Sequence, residues 1–182
     1  AKAAVLAWQG TVAFVVAIDT PAGKQLSIPV VDAETLPDGG RASVIKDAGD
    51  DPDITHGVTV AVDVKICPGE PAIRFTAGEG IGRVTLPGLQ IPPGEPAINP
   101  TPRRMIDTTI RPMLPPGTGA VVTVSIPGGE TLAKRTLNPT LGIVGGLSII
   151  GTTGIVEPMS EDAFKNSLKP QISVAKALGF DS

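Results

Sequence analysis

The chain has 182 residues, the length of one domain, and because only 3% of them are aromatic its core must be aliphatic. A formal charge of −3 excludes the broad basic surface that attracts nucleic acid, and the most apolar run, residues 141–156, is too short to span a bilayer. Neither nucleic acid nor a membrane is therefore expected as a partner. The single cysteine, Cys67, cannot form an internal disulfide, which fits a cytoplasmic protein, and the sequence allows a homo-oligomer.

The first third of the chain predicts a helix followed by short strands. Residues 1–8 are rich in helix formers and stop before Gly10, which is typical of a helix end. Two alternating runs on either side of a turn at residues 20–23 then predict a hairpin with one buried face. Its apolar positions are Val12, Phe14, Val16, Ile18, Leu26, Ile28 and Val30. Residues 41–45 predict one more short strand.

Residues 46–57, here called the acidic loop, combine turn residues with four carboxylates and the single histidine of the chain. These candidate catalytic residues are Asp47, Asp50, Asp51, Asp53 and His56. Like charges this close repel one another unless a cation, hydrogen-bond donors or solvent offset the repulsion. The loop is either a solvated acidic turn or a site, and the EF-hand spacing for calcium is not met. The strict alternation of residues 58–66 predicts a strand, so the loop should lie at the mouth of a sheet.

The middle of the chain offers arginines as candidate ligand-binding residues. Residues 71–85 predict a strand pair, and the glycines at 78–82 indicate a turn rather than a nucleotide loop, because their spacing is not Gly-x-Gly-x-x-Gly. Arg83, beside these glycines, can bind a ligand carboxylate.

A helix should begin after the proline-rich connection, with Thr101 as its N-cap and Pro102 in the first turn. Arg103 and Arg104 follow in that turn. They belong either to a solvated helix start or to an anion site, since the helix dipole disfavours cations there.

The last third predicts a strand at 121–126, a buried glycine-rich strand at 142–154 and a final helix. The glycines of the second strand favour close backbone packing, but backbone N–H groups and hydroxyls there could instead line a ligand cleft. The residues of that cofactor-binding alternative are Gly145, Gly146, Thr152 and Thr153. Ser160 should cap the final helix, Pro170 should kink or break it, and Gly179 should end it. Its predicted buried stripe is Phe164, Leu168, Ile172, Ala175 and Leu178.

Short, mostly antiparallel strands with a few packing helices indicate an α+β fold. Several collinear blocks of the sequence also resemble one family. They read Lys-Asp-Ala-Gly-Asp-Asp-Pro-Asp-Ile-Thr-His-Gly at 46–57, Gly-Glu-Gly-Ile-Gly-Arg-Val-Thr at 78–85, Gly-Glu-Pro-Ala-Ile-Asn-Pro at 94–100, Pro-Arg-Arg-Met-Ile at 102–106, Leu-Ala-Lys-Arg-Thr-Leu-Asn-Pro at 132–139 and Leu-Gly-Ile-Val-Gly-Gly-Leu-Ser-Ile-Ile-Gly-Thr-Thr-Gly-Ile-Val at 141–156. The chain thereby resembles the CbiD family, the cobalt-precorrin-5B C1-methyltransferases of anaerobic cobalamin (vitamin B12) biosynthesis.

The resemblance implies that residues 1–182 form a single α+β domain, the N-terminal part of the family. Residues 160–182 would be a helical segment leading to a second, α/β half that lies outside this sequence, and the family's first Gly-(Phe or Tyr)-Thr-Thr-Gly-x-Cys-Ala segment is also outside it. Because these two family segments lie outside the sequence, it stays open whether residues 1–182 are active on their own. A non-catalytic tetrapyrrole-binding or assembly fragment is the alternative, and a carboxylate-pair hydrolase is a weaker one because it depends on the acidic loop alone.

The implied reaction transfers a methyl group from S-adenosylmethionine, a cosubstrate, to C1 of cobalt-precorrin-5B, giving cobalt-precorrin-6A. Cobalt would enter only as part of this substrate, and no metal site of the protein is expected. The substrate is a polyanion, so the hypothesis assigns its carboxylates to Arg83, Asn99, Arg103 and Arg104. The carboxylates of the acidic loop would face the donor or a reacting ring proton, with His56 as a proton acceptor or an axial cobalt ligand.

Overall fold

The computed structural model describes residues 1–151 and 161–180, with residues 161–167 described as backbone only. The helices in these ranges are α1 (Lys2–Trp8), α2 (Pro100–Ile110), α3 (Gly129–Ala133) and α4 (Glu161–Ala177), and a 3-10 turn at Arg111–Met113 follows α2. The strands are β1 (Val15–Asp19), β2 (Gln25–Pro29), β3 (Asp32–Leu36), β4 (Gly39–Ile45), β5 (Thr59–Pro68), β6 (Ile73–Ala77), β7 (Arg83–Val84), β8 (Thr118–Ser125) and β9 (Ile143–Val144).

Five strands form a central sheet in the order β3-β4-β5-β8-β6. All its neighbours are antiparallel except β6 and β8, which run parallel. The hairpin β1-β2 and the two-residue pair β7-β9 form separate ribbons. The predicted α+β class with mostly antiparallel strands is therefore confirmed.

The two faces of the sheet differ because residues alternate along each strand. One face carries Gly40, Val64, Val122 and Phe75 in register across four strands, and α1 packs on it so closely that a Cβ on Gly40 would lie 2.0 Å from the carbonyl oxygen of Ala4. Val64 and Val122 are fully buried there. The opposite face is polar and holds surface ion pairs such as those of Arg41 and Lys65.

Residues 78–99 and 137–151, here called the glycine-rich region, surround a second, smaller apolar cluster. Its buried members are Val84, Ile91, Ala97 and Ile143. Backbone strands approach one another closely here: a Cβ on Gly146 would lie 2.2 Å from the carbonyl oxygen of Gly80. Main-chain hydrogen bonds, rather than long strands, connect the two halves of this region.

Several predicted elements are corrected by the structure. The strand pair at 71–85 is wrong, because β6 pairs with β8 and β7 pairs with β9 instead of with each other. The buried strand at 142–154 is wrong for the described residues, where only β9 is a strand and Val144 is 60% exposed. The N-cap of α2 is Asn99 rather than Thr101, since Pro100 already begins the helix. Strand β3 was not predicted.

The hairpin β1-β2 is confirmed, but the predicted buried face is only half correct. Val16 is buried, whereas Val12 is 59% exposed and Phe14 is 79% exposed, and both lie before the start of β1 at Val15.

Helix α4 also corrects a prediction. It continues through Pro170 to Ala177, so the proline does not break it, and Gly179 follows with the left-handed φ expected at a helix end. Within the predicted stripe, Leu168, Ile172 and Leu178 are exposed, and Val174 is the residue buried against Gly88. Ser160 and the side chain of Phe164 lie outside the described residues. None of the described helices has the length and apolar content needed to cross a membrane.

Candidate functional site

The acidic loop connects β4 to β5 and is closed by two main-chain hydrogen bonds. The N–H of Lys46 donates to Val58 O, and the N–H of Gly57 donates to Lys46 O, both at 2.9 Å. Strand β8 ends at the same edge of the sheet, since its last residue, Ser125, pairs with Ala61 near the start of β5. Parallel β6 ends there too. The loop therefore lies at the mouth of the sheet, as its sequence position predicted.

One carboxylate of the loop is neutralised inside it. Lys46 Nζ donates hydrogen bonds to Asp53 and, at 2.6 Å, to the hydroxyl of Thr55, and both the N–H and the hydroxyl of Thr55 donate to Asp53 Oδ1 at 2.7 Å. Partial burial raises the pKa of Asp53, but these hydrogen bonds outweigh that effect and hold its pKa below the ordinary value of 3.8. Asp53 thus shapes the loop from within.

The other loop residues are more open. Asp47 accepts the N–H of Gly49 at 2.8 Å, and Asp50 is exposed, while Asp51 is half-buried and its own N–H donates to Ala48 O. No group of three or more His, Cys, Asp or Glu side chains in the described ranges is arranged to hold a metal ion. The exposed carboxylates of Asp47 and Asp50 can accept hydrogen bonds from a ligand.

His56 is fixed in one tautomer. Its Nδ1 accepts the N–H of Ala48 at 3.1 Å and lies 3.9 Å from Asp47 Oδ1. A neutral ring with an accepting Nδ1 carries its proton on Nε2. In this tautomer Nε2 carries a donor hydrogen, and the roles of proton acceptor and axial cobalt ligand stay predictions that require the other tautomer.

Arg103 is held by the protein itself. Its guanidinium donates to the carbonyl oxygens of Ile98 at 2.8 Å and Pro96 at 3.0 Å and to Glu95 at 3.3 Å, and it lies 5.4 Å from the ring centre of Phe75. These contacts join α2 to the glycine-rich region and to β6. A ligand carboxylate would have to compete with Glu95 for this side chain.

Arg104 and Arg83 are less constrained. Arg104 is exposed and donates one side-chain hydrogen bond, to the hydroxyl of Thr101 at 3.2 Å. Arg83 is exposed on β7 and donates to Gly94 O at 3.2 Å. Both guanidinium groups keep donors that can reach an anionic ligand.

The direction of α2 relates these arginines to the acidic loop. Arg111, just past the helix, donates to Pro71 O at 2.7 Å, before β6 begins, and Arg103 lies over Phe75 in the middle of that strand. Helix α2 thus runs opposite to β6, and its first turn points toward the sheet edge that carries the acidic loop. The loop and the first turn of α2, with Arg103 and Arg104, are therefore not at opposite ends of the sheet.

The two predicted cofactor-binding glycines have different surroundings. Gly146 is buried against Gly80, whereas Gly145 is exposed, has a φ of 86° and has open space around it. Thr152 and Thr153 lie outside the described residues.

A hollow with a volume of about 570 Å³ lies between the glycine-rich region and α4. Among the predicted site residues that the structure describes, Asn99 alone lines it. Sequence reasoning missed its other polar lining residues, which are Gln90, Ser148, Lys169 and Ser173. They come from three separate segments, so no local spacing connects them. No residue of the acidic loop lines this hollow.

Comparison with known proteins decides the family. The family model CbiD matches residues 1–158. The chain belongs to the CbiD family. Among curated relatives, the cobalt-precorrin-5B C(1)-methyltransferase of Moorella thermoacetica is 53% identical over 100% of this chain and 49% of the relative. That of Methanocaldococcus jannaschii is 51% identical over 91% of this chain and 46% of the relative.

A solved structure agrees with this membership. The crystal structure of the cobalamin biosynthesis protein cbiD from Archaeoglobus fulgidus matches this CbiD chain with a TM-score of 0.64 and 30% identity, over 93% of this chain and 54% of the other. The chain spans about half the length of the relatives it matches.

Proposed function

We propose that this CbiD chain belongs to a cobalt-precorrin-5B C1-methyltransferase acting in cobalamin biosynthesis in the cytoplasm. The observation that carries the proposal is identity of about half of all residues to curated relatives that bear this name. The reaction transfers a methyl group from S-adenosylmethionine to C1 of the macrocycle and yields cobalt-precorrin-6A. Cobalt belongs to the substrate, and the protein acts as a single α+β domain in this part of the chain.

The chemistry places modest demands on the protein. A methyl carbon bonded to a sulfonium is electrophilic, so an electron-rich ring carbon attacks it, the carbon–sulfur bond breaks, and S-adenosylhomocysteine leaves with the electron pair. Alignment of the two reactants is the main task, and orientation can lower such a barrier by about 7–11 kcal/mol. Rigid elements suit this role, and the first turn of α2 is held by the Arg103 contacts to the glycine-rich region.

The site residues are proposed with different roles. The exposed guanidinium groups of Arg83 and Arg104 bind carboxylate arms of the macrocycle, and Arg103 holds the first turn of α2 in place. The exposed carboxylates of Asp47 and Asp50 face the reacting groups from the neighbouring sheet edge. Asp51, Asp53 and His56 maintain the shape of the loop, and Gly145 leaves room for the ligand.

The direct test measures methyl transfer. The chain is incubated with S-adenosylmethionine and cobalt-precorrin-5B, and mass spectrometry detects the gain of one methyl group by the macrocycle. Arg104→Ala should raise KM for the macrocycle by about tenfold, since a charged hydrogen bond contributes about 1.5–3 kcal/mol. Arg74→Ala is the matched control, because Arg74 is an exposed arginine on the polar face of the sheet. Equal KM values for both variants would remove Arg104 from the site.

The alternative function is a non-catalytic tetrapyrrole-binding or assembly module. The observation that favours it is that the chain spans about half the length of its relatives. Calorimetric titration separates the two functions: a chain that binds the cobalt precursor, fails to bind S-adenosylhomocysteine and transfers no methyl group is a binding module.

A further inference from the structure

The hollow beside α4 has the walls of a site for a flat, neutral ring system. Aliphatic side chains from both halves of the glycine-rich region form it, including Ile91 and Ile143, which are 5% and 6% exposed, and Leu141. Ser173 of α4 lines the opposite side. Ligand pockets of about 300–1,000 Å³ with mostly apolar walls and a few polar groups accept ligands the size of a nucleoside.

The polar groups in these walls are amides and hydroxyls. Within the described residues, the side-chain amides of Asn99 and Gln90 make no hydrogen bond to the protein, although both line the hollow. The hydroxyl of Ser148 donates to Asn138 Oδ1 at 3.1 Å, so its oxygen remains an acceptor. An amide presents a donor beside an acceptor, which is the pattern that pairs with the N6 and N7 edge of adenine.

The charges of the described lining residues do not suit the macrocycle. Among the described residues that line the hollow there is no carboxylate and one cationic residue, Lys169, which already has an interaction of its own. A macrocycle with carboxylate arms around its rim would require several cations. No carboxylate of the described lining residues offers a counterion to a sulfonium, so we place the sulfonium of a bound donor at the mouth.

We infer that this hollow holds the adenosine end of the methyl donor, with the Asn99 and Gln90 amides reading the adenine edge and the sulfonium at the opening. The inference rests on the proposed methyltransferase function and goes further by placing the adenosine end of the donor in a hollow that no residue of the acidic loop lines.

The test measures S-adenosylhomocysteine binding to the chain by calorimetric titration, with adenosine and homocysteine as separate probes. Ser173→Phe should fill the hollow and abolish binding of S-adenosylhomocysteine and adenosine. Ile172→Phe is the matched control, because Ile172 is the neighbouring α4 residue and is 53% exposed. Asn99→Asp keeps a side chain that suits a helix N-cap, and Gln90→Ala alters an exposed residue; each should weaken binding about five- to tenfold.

Three results would overturn the inference: no binding of S-adenosylhomocysteine by the chain at millimolar concentration, equal affinity in Ser173→Phe and Ile172→Phe, or loss of macrocycle binding alone in Ser173→Phe. Failure of the proposed function looks different. In that case S-adenosylhomocysteine still binds to the unchanged chain and fails to bind to Ser173→Phe, but no methyl group is transferred to cobalt-precorrin-5B. Circular dichroism of each variant confirms that the chain has folded.

Discussion

The central sheet and the glycine-rich region are stabilised in different ways. In the sheet, aliphatic side chains such as Val64 and Val122 fill the layer between the strands and α1 and are fully buried. In the glycine-rich region, main chain lies against main chain: a Cβ on Gly82 would be 2.5 Å from Ile143 and 2.8 Å from Gly146 O. The sheet is therefore stabilised by packed side chains. The glycine-rich region is stabilised by close backbone contacts, which glycine allows because it has no Cβ.

This difference has a functional consequence. Side chains in a close-packed sheet leave no room for a ligand, whereas chain crossings built on glycine leave hollows between the few large residues. The hollow of about 570 Å³ lies beside the glycine-rich region, and Asn99, which lines it, is the N-cap of α2. The sheet provides rigid support, and the glycine-rich region provides the hollow.

The strongest test of this comparison replaces each of two adjacent glycines by alanine, one at a time. Gly146→Ala should lower the free energy of unfolding by about 3 kcal/mol, because its Cβ would lie 2.2 Å from Gly80 O. Gly145→Ala should cost only about 1 kcal/mol, since open space surrounds Gly145 and only its φ of 86° resists a side chain. Urea denaturation measures both. Equal losses would show that close backbone contact does not stabilise this region.

The same difference decides what the sequence could predict. Alternation of apolar residues predicted β5, and short strands were also predicted at 41–45 and 121–126, where the structure has β4 and β8. It could not predict that β6 joins β8 in parallel while β7 leaves the sheet, since this choice depends on close contacts such as Gly78 against Ser125. The glycines at 142–146 carry no period that separates a buried strand from a turn.

Substitution of two adjacent arginines tests whether the Arg103 guanidinium holds the glycine-rich region against the rest of the fold. Arg103→Ala should lower the free energy of unfolding by about 2 kcal/mol, because it removes hydrogen bonds to Ile98 O and Pro96 O and the contact with Phe75. Arg104→Ala should change it by less than about 0.5 kcal/mol, since that side chain is exposed. Thermal unfolding compares them. A larger loss for Arg104 would contradict the attachment.

The site was less predictable than the fold for a related reason. Residue type and charge selected Arg103 and Arg104 together, yet one is committed to carbonyl oxygens and the other is open. Sequence alone could not tell which, because the carbonyl partners belong to an irregular segment. Asn99 was selected through family resemblance, and the residues that share its hollow come from distant segments.

The acidic loop, at the edge of the sheet, should make stability depend on pH. The pKa of Asp53 is below its ordinary value of 3.8, so its contribution is fully present above that value and is lost as the pH falls through the lower, folded-state pKa. Asp53→Asn should therefore cost about 1.5 kcal/mol near neutral pH and progressively less in acid. Denaturant titrations across this range measure the difference. Asp50→Asn is the control, since Asp50 is exposed, and a constant difference for Asp53 would refute the assignment.

The smallest effect is expected on the open face of the sheet, which provides the baseline for the other variants. Arg41 Nε and Nη2 donate to the two oxygens of Asp63 at 2.6 and 2.7 Å, and this pairing raises the pKa of Arg41 beyond its usual value. Both groups face solvent, so Asp63→Asn should change the free energy of unfolding by about 0.5 kcal/mol and by less at high salt. Urea denaturation at low and high ionic strength measures it. A loss comparable to that of Gly146→Ala would mean that the polar face contributes as much as the close backbone contacts, and the contrast between the two regions would fail.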